Sequence, residues 1–315
     1  MSPVESLFTK LEMGLSNDGH AVSRSNRTLD WWSGPLRQRI TASKPYTSSD
    51  ILVTSIHIQT DLFKGPAPSE EIAKELIDLS HTGDVSAIFY DEEASLYKLG
   101  TRLTLHEENY DWMNIFIIRT AFLQNSTALR MVFSFDAPKG LSAAESASPK
   151  GLNTDKYGSN LKEFTQSVRK AGASSACLWE GKELAFIKDI LGDKASFETG
   201  IDEMRQLCAT VKSSGVTFRV LADADTKHPF WGHGLTIMIM CPDKKEDSIS
   251  PKRILTLNKD HCQPTDPRNA TGFWLFAGAE LAHFLFLPNA LYQPALTQIV
   301  FLEKWGLANA HLPSS

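Results

Sequence analysis

Residues 109–136, NYDWMNIFIIRTAFLQNSTALRMVFSFD, decide how the first half of this chain is read. The opening seventeen residues carry Trp112, Met113, Ile115, Phe116, Ile117, Ile118 and Phe122. That run is long enough for a helix and apolar on more than one side, so the helix is expected to be covered by more than its own sheet. From Ala128 the pattern changes to alternation, with Leu129, Met131, Phe133 and Phe135 in step. Alternation of this kind predicts a strand with one face buried.

Working back towards the N-terminus, DILVTSIHIQT (50–60) also alternates. Leu52, Ile56 and Ile58 fall on one face, and Ser55, His57 and Gln59 on the other. SEEIAKELIDLSH (69–81) places Ile72, Leu76 and Leu79 at helical spacing. Pro68 and Ser69 mark its start, and Glu70 and Glu71 suit its first turn. DVSAIFYDEEASLYKLGTRLTLH (84–106) reads as two strands around an acidic turn. The order is β-α-β-β-α-β, which predicts a ferredoxin-like unit with an antiparallel sheet over residues 48–137. Residues 1–47 are expected to form an N-terminal helical segment.

DAPKGLSAAESASPKGLNTDKYG (136–158) is rich in Pro, Gly, Ala and Ser and lacks apolar periodicity, so 138–158 reads as a linker or long loop. Residues 159–315 are expected to form a second α+β unit packed against the first. Helices are expected at 159–172, 181–191 and 197–215, strands at 216–223, 234–241 and 253–258, and two apolar helical segments between there and Trp305.

With 315 residues, 42% of them hydrophobic and 22% charged, the composition is that of a globular protein. The net charge of −5 argues against a dedicated nucleic-acid binder. Cys177, Cys208, Cys241 and Cys262 form no C-x-x-C pair, so a zinc finger or dithiol redox motif is not expected. The N-terminal residues lack the apolar core of a secretory signal. GFWLFAGAELAHFLFLPNALY (272–292) is interrupted by Glu280, His283 and Pro288, which argues against a membrane span. Cytoplasmic residence and the absence of membrane partners are the expectations that follow.

The densest group of ionisable residues is DADTKHPFWGHG (223–234). Asp223, Asp225, His228 and His233 are chemically suited to a divalent metal that would activate a water. Pro229 and Gly232 exclude the helical geometry that fixes two histidines on one face, and a polar loop between strands is the preferred reading. HEENYD (106–111) clusters acids where a strand enters a helix, as the helix dipole favours. His283 reads as a core histidine. No P-loop, G-x-G-x-x-G or G-x-S-x-G motif occurs. The open face of the first sheet is expected to present Val53, Ser55, His57, Lys98, Arg102, Arg130 and Val132, with Tyr90 its only aromatic. Lys98, Arg102 and Arg130 there suit a phosphate, but the face lacks the stacking aromatics of RNA-recognition sheets. The reading that results is a non-enzymatic protein-binding or assembly module with a protein partner or self-association and no cofactor. A metal-dependent hydrolase using Asp223–His233 is the alternative, and weak nucleic-acid binding through Lys98, Arg102 and Arg130 ranks third.

Overall fold

The computed structural model describes residues 2–17, 19–48, 51–80, 86–134, 136–148, 166, 181–197, 206–213, 216–228, 232–245, 249–262, 272–277 and 280–291. The chain is mixed α+β, with two antiparallel sheets. Helix α1 (Pro3–Asn17) buries Leu7, Phe8, Leu11 and Leu15, a single stripe. The rest of the expected N-terminal helical segment is instead a meander of β1 (Ala21–Ser25), β2 (Thr28–Ser33) and β3 (Leu36–Ala42). Its signal is Gly34-Pro35 between alternating runs. Gly34 supplies a φ of +69° in a two-residue connection.

After β4 (Tyr46–Ser48) come β5 (Ile51–Lys64), α2 (Glu70–Ser80), β6 (Ala87–Asp91), β7 (Leu96–His106) and α3 (Tyr110–Phe133). A two-residue strand, β8 (Ser142–Ala143), closes the group. The sheet order is β1-β2-β3-β5-β7-β6, with β4 and β8 also paired to β5. Five of the six elements expected over 48–137 are therefore present, and β7 lies between β5 and β6.

The sixth is not. Residues 128–133, expected to open a strand, are the last turns of α3. Gln124, Ala128, Met131 and Val132 are buried at helical spacing, while Phe133 is exposed. The polar residues Asn125-Ser126-Thr127 stay inside the helix; the Ser126 hydroxyl donates to the Phe122 carbonyl one turn back. In a βαββαβ sheet the last strand lies beside the first. Here β3 holds that edge of β5, from Gln38 opposite Thr60 to Ala42 opposite Ile56. The meander takes the fourth strand's place.

The second half contains α4 (Gly181–Leu191), β9 (Ala195–Phe197), β10 (Gln206–Ser213), β11 (Val216–His228), β12 (Gly232–Lys245), α5 (Pro251–Cys262), β13 (Phe273–Ala277) and β14 (Glu280–Pro288). Its sheet runs β13-β14-β12-β11-β10-β9. The helix at 181–191 and the strands at 216–223 and 234–241 appear as expected.

Three segments differ. Residues 206–213, expected helical, pair with β11 from Ser213 opposite Val216. Residues 253–258, expected as a strand, lie in α5. Ser250 caps its first turn, Pro251 follows at the first helical position, and Ile254, Leu255, Asn258 and Cys262 make one buried stripe. Residues 273–277 and 280–288, expected helical, pair as an antiparallel hairpin from Ala277 opposite Glu280. Residues 149–158 of the expected linker, the expected helix at 159–172 apart from residue 166, and the segment beyond 291 lie outside the described residues.

The two halves share a layer. Helix α5 packs on β6 and β7 of the first sheet and on α2, while α1 and α3 cover the other side. Helix α3 also meets the 3-10 turn Asn289–Leu291, so it is buried by more than its own sheet. Gly100 of β7 permits the close approach of α5. A Cβ there would lie 2.6 Å from the Phe89 ring and 3.0 Å from the Cys262 sulfur. Among the described residues no helix is long and apolar enough to cross a membrane.

Candidate functional site

The loop that concentrates carboxylates and imidazoles is the end of a hairpin rather than a broad polar connection. Strand β11 runs to His228 and β12 begins at Gly232. His228 stands opposite Gly232 and His233 opposite Lys227, one residue out of step. Alternation therefore sends the two imidazoles to opposite sides of the hairpin. His228 is buried and stacked on Phe286, ring centroids 5.0 Å apart, and Asp223 accepts a hydrogen bond from the Gln206 amide at 3.1 Å. The Asp225 side chain lies outside the described ones. Among the described residues no three metal-ligating side chains come together.

Lys98 and Arg102 do share a face of β7, but that face is covered, not open. Lys98 donates to the Asp91 carboxylate at 2.5 Å, and Arg102 donates to the Ser55 hydroxyl at 2.7 Å. Both are buried, as are Ser55 and His57 on the same face of β5. Val53 is also buried, and Val132 belongs to α3. Arg130 is on α3 as well, across the sheet from Lys98 and Arg102. The three cations therefore make no common patch.

Beneath α5, His57 bonds through Nδ1 to the Cys262 carbonyl at 3.1 Å, and among the described residues its Nε2 has no partner. Because the carbonyl only accepts, Nδ1 carries the proton and Nε2 is bare. Burial, with the Arg102 charge next, lowers the His57 pKa to about 4. Burial likewise pushes the Cys262 thiol up to about 12, against a smaller opposing effect of Arg102. An imidazole lowered to about 4 is a weak base and a thiol raised to about 12 is a poor nucleophile at neutral pH.

A recess among the described residues lies elsewhere. Strand β7 ends at His106, opposite Val53, whereas β5 begins two residues earlier at Ile51. The overhang, the N-terminus of α1, the β1–β2 turn and the 3-10 turn Glu107–Asn109 enclose a cleft of about 440 Å³. Its apolar lining includes Val4, Ile51, Leu52 and Leu105. Leu52 is 64% exposed, although alternation places it on the same side as the fully buried Ile56 and Ile58. Among the described residues no strand lies beside it on the β7 side, past the end of β7.

The charged lining is Glu5, Glu107, Glu108 and Arg27. Glu5 pairs with Arg24 at 2.5 Å. Among the described residues Glu107 and Glu108 have no ion-pair or hydrogen-bond partner. Arg27 is turned away: its Nε donates to the Ala42 carbonyl at 3.0 Å and its guanidinium also reaches the Ser43 carbonyl. The 3-10 turn that presents the two acids is pinned by Asn109, whose Oδ1 accepts from the His106 N–H at 2.9 Å and whose Nδ2 donates to the Thr104 carbonyl at 3.0 Å.

The acids of HEENYD stand where sequence reasoning put them, at a strand-to-helix junction. Their helix-dipole role and their place in a cleft are compatible. The exposure of Leu52 carried no sequence signal, because it depends on where β7 stops. The chain matches no family model, no curated protein and no solved structure.

Proposed function

We propose that this chain is a non-enzymatic binding or assembly module of the cytoplasm and that the cleft beside Leu52 is its docking site for a partner protein. The observation that carries the reading is a large aliphatic side chain left 64% exposed in a recess with two unpaired carboxylates. Burying such a side chain on association is worth ~1.5–3 kcal/mol, so a single anchor of this kind contributes measurably. Supporting it, His57 and Cys262 beneath α5 are engaged in packing, with pKa values of about 4 and about 12 that do not suit acid–base work near neutrality.

A photo-crosslinking residue tests the proposal. Leu52→benzoylphenylalanine in the full chain, irradiated in cells, is expected to give a discrete adduct with one partner. The same residue at Lys74, exposed on α2, is expected not to. Equal labelling at both positions, or none at position 52, would remove the cleft as a docking site.

A further inference from the structure

We infer that the occupant of the cleft is an extended segment of a partner protein carrying lysine or arginine beside aliphatic residues, an inference that rests on the docking role proposed above. Charge gives the first argument. The lining holds three carboxylates against one guanidinium. Glu5 is paired with Arg24, which Glu12 shares, and Arg27 keeps its charge while bonding the Ala42 and Ser43 carbonyls, so the negative excess is carried by Glu107 and Glu108. The N-terminus of α1 contributes only about +0.5 charge, which leaves the lining negative. A cationic segment is favoured and an acidic one repelled, and exposed carboxylates act mainly on specificity and association rate.

The open strand edge gives the second argument and separates a peptide from a small amine. Residues Ile51 and Leu52 pair with β4 on one side, Leu52 opposite Thr47 and Ile51 opposite Ser48. On the β7 side, pairing begins only at Val53. Among the described residues no strand continues β7's line past His106. An extended backbone entering there can prolong the sheet while its side chains reach Leu52 and the two acids, the strand-addition mode of peptide recognition. A free amine has no backbone to place on that edge and leaves Leu52 in water. A volume of about 440 Å³ lies within the range of ligand-sized recesses, ~300–1,000 Å³.

The test is calorimetric titration of the full chain at low and moderate salt with three end-capped octapeptides. One alternates lysine and leucine, one replaces lysine with glutamate, and one replaces leucine with serine. The lysine–leucine peptide is expected to bind, the other two at least about tenfold more weakly, and added butylamine not to compete. The double variant Glu107→Gln/Glu108→Gln and, separately, Leu52→Ser are each expected to weaken binding about tenfold. Glu71→Gln/Glu75→Gln, exposed on α2, is expected to change nothing, and circular dichroism checks that each variant folds.

Equal loss in the α2 double variant, or none in either cleft variant, would overturn the inference as non-specific attraction. Full competition by butylamine would overturn it in favour of a small amine. If no peptide binds while position 52 still cross-links, the inference fails and the docking role stands. If neither occurs, both fail.

Discussion

On the side of the first sheet that meets α3, the buried polar network around Gln124 is made of amides and hydroxyls. The Gln124 amide donates to the Ile58 carbonyl, Thr101 and Ser86 at 3.0–3.3 Å, and its Oε1 accepts from Thr60 at 2.9 Å. Gln38 extends the network to Trp31, Thr60 and the Ala121 carbonyl. On the other side, beneath and beside α5, the buried groups are ionisable: His57, Arg102, Lys98 and Asp61. Burial raises the Asp61 pKa, while Arg37 at 3.0 Å, Lys98 and Arg39 oppose that rise. The sheet is the same and the residues alternate along the same two strands. One face is held by amides and hydroxyls that do not titrate; the other is held by groups whose charge state is part of the packing. The first should be indifferent to pH and the second should not.

The largest effect is expected at the neutral face. Gln124→Ala removes the hub and leaves Thr60, Gln38 and Thr101 short of partners in a buried place. The expected loss is about 3–4 kcal/mol in urea denaturation, since each stranded buried polar group costs roughly 1–3 kcal/mol. The loss should be the same at pH 5 and pH 8. A loss under about 1 kcal/mol, or one that varies with pH, would show that the network is incidental.

The ionisable face is expected to show itself on acidification. The unfolded chain takes up a proton on His57 near the ordinary 6.5, but the folded protein does so only near about 4. Stability is therefore undiminished by this group above 6.5, falls as pH drops through the interval, and levels off below 4. The gap corresponds to roughly 3 kcal/mol. His57→Gln keeps a donor for the Cys262 carbonyl and should flatten that part of the pH profile. An unchanged profile in the variant would place the acid sensitivity elsewhere.

Steric contact across the same layer comes next. Gly100→Ala sets a methyl group against the Phe89 ring and the Cys262 sulfur. Overpacking of this sort costs about 1–3 kcal/mol, read as a lowered midpoint in thermal or urea unfolding. No measurable change would mean that α5 shifts freely on the sheet, and the pH dependence assigned to His57 should then weaken with it. The smallest effect belongs to the solvent end of the ionisable face, where Arg39 binds Asp30 through two hydrogen bonds while remaining 45% exposed. Arg39→Ala should cost less than about 1 kcal/mol, and molar salt should reduce even that.

Much of the first sheet was legible without coordinates. The alternation in 50–60 and 97–105, the Pro-Ser start of α2 and the unusual apolar width of α3 each report a local periodicity that burial then uses. The readings that failed did so where one pattern satisfied two periods. Leu129, Met131, Phe133 and Phe135 alternate, but Gln124, Ala128, Met131 and Val132 form a helical stripe, and polar Gln124 hides that stripe from any search for apolar residues. Residues 253–258 misled in the same way until Ser250 and Pro251 are weighed as a helix start. Residues 273–288 are apolar at nearly every position, so no period is expressed at all.

For the sites, Glu107 and Glu108 were visible at their junction, whereas the exposure of Leu52 was not. Lys98 and Arg102 were placed on the correct face but on the wrong side of solvent, because α5, more than a hundred residues away in the chain, lies over part of that face. By itself the sequence determined residue chemistry, the alternating faces of β5 and β7 and the starts of α2, α4 and β11, all of which depend on neighbours a few positions apart. The tertiary structure alone decided which face α5 covers, where β7 stops short of β5, and that β3 takes the place of a fourth strand. Those outcomes turn on competition between distant segments for the same apolar surface and the same backbone edge, and no local period encodes which segment wins.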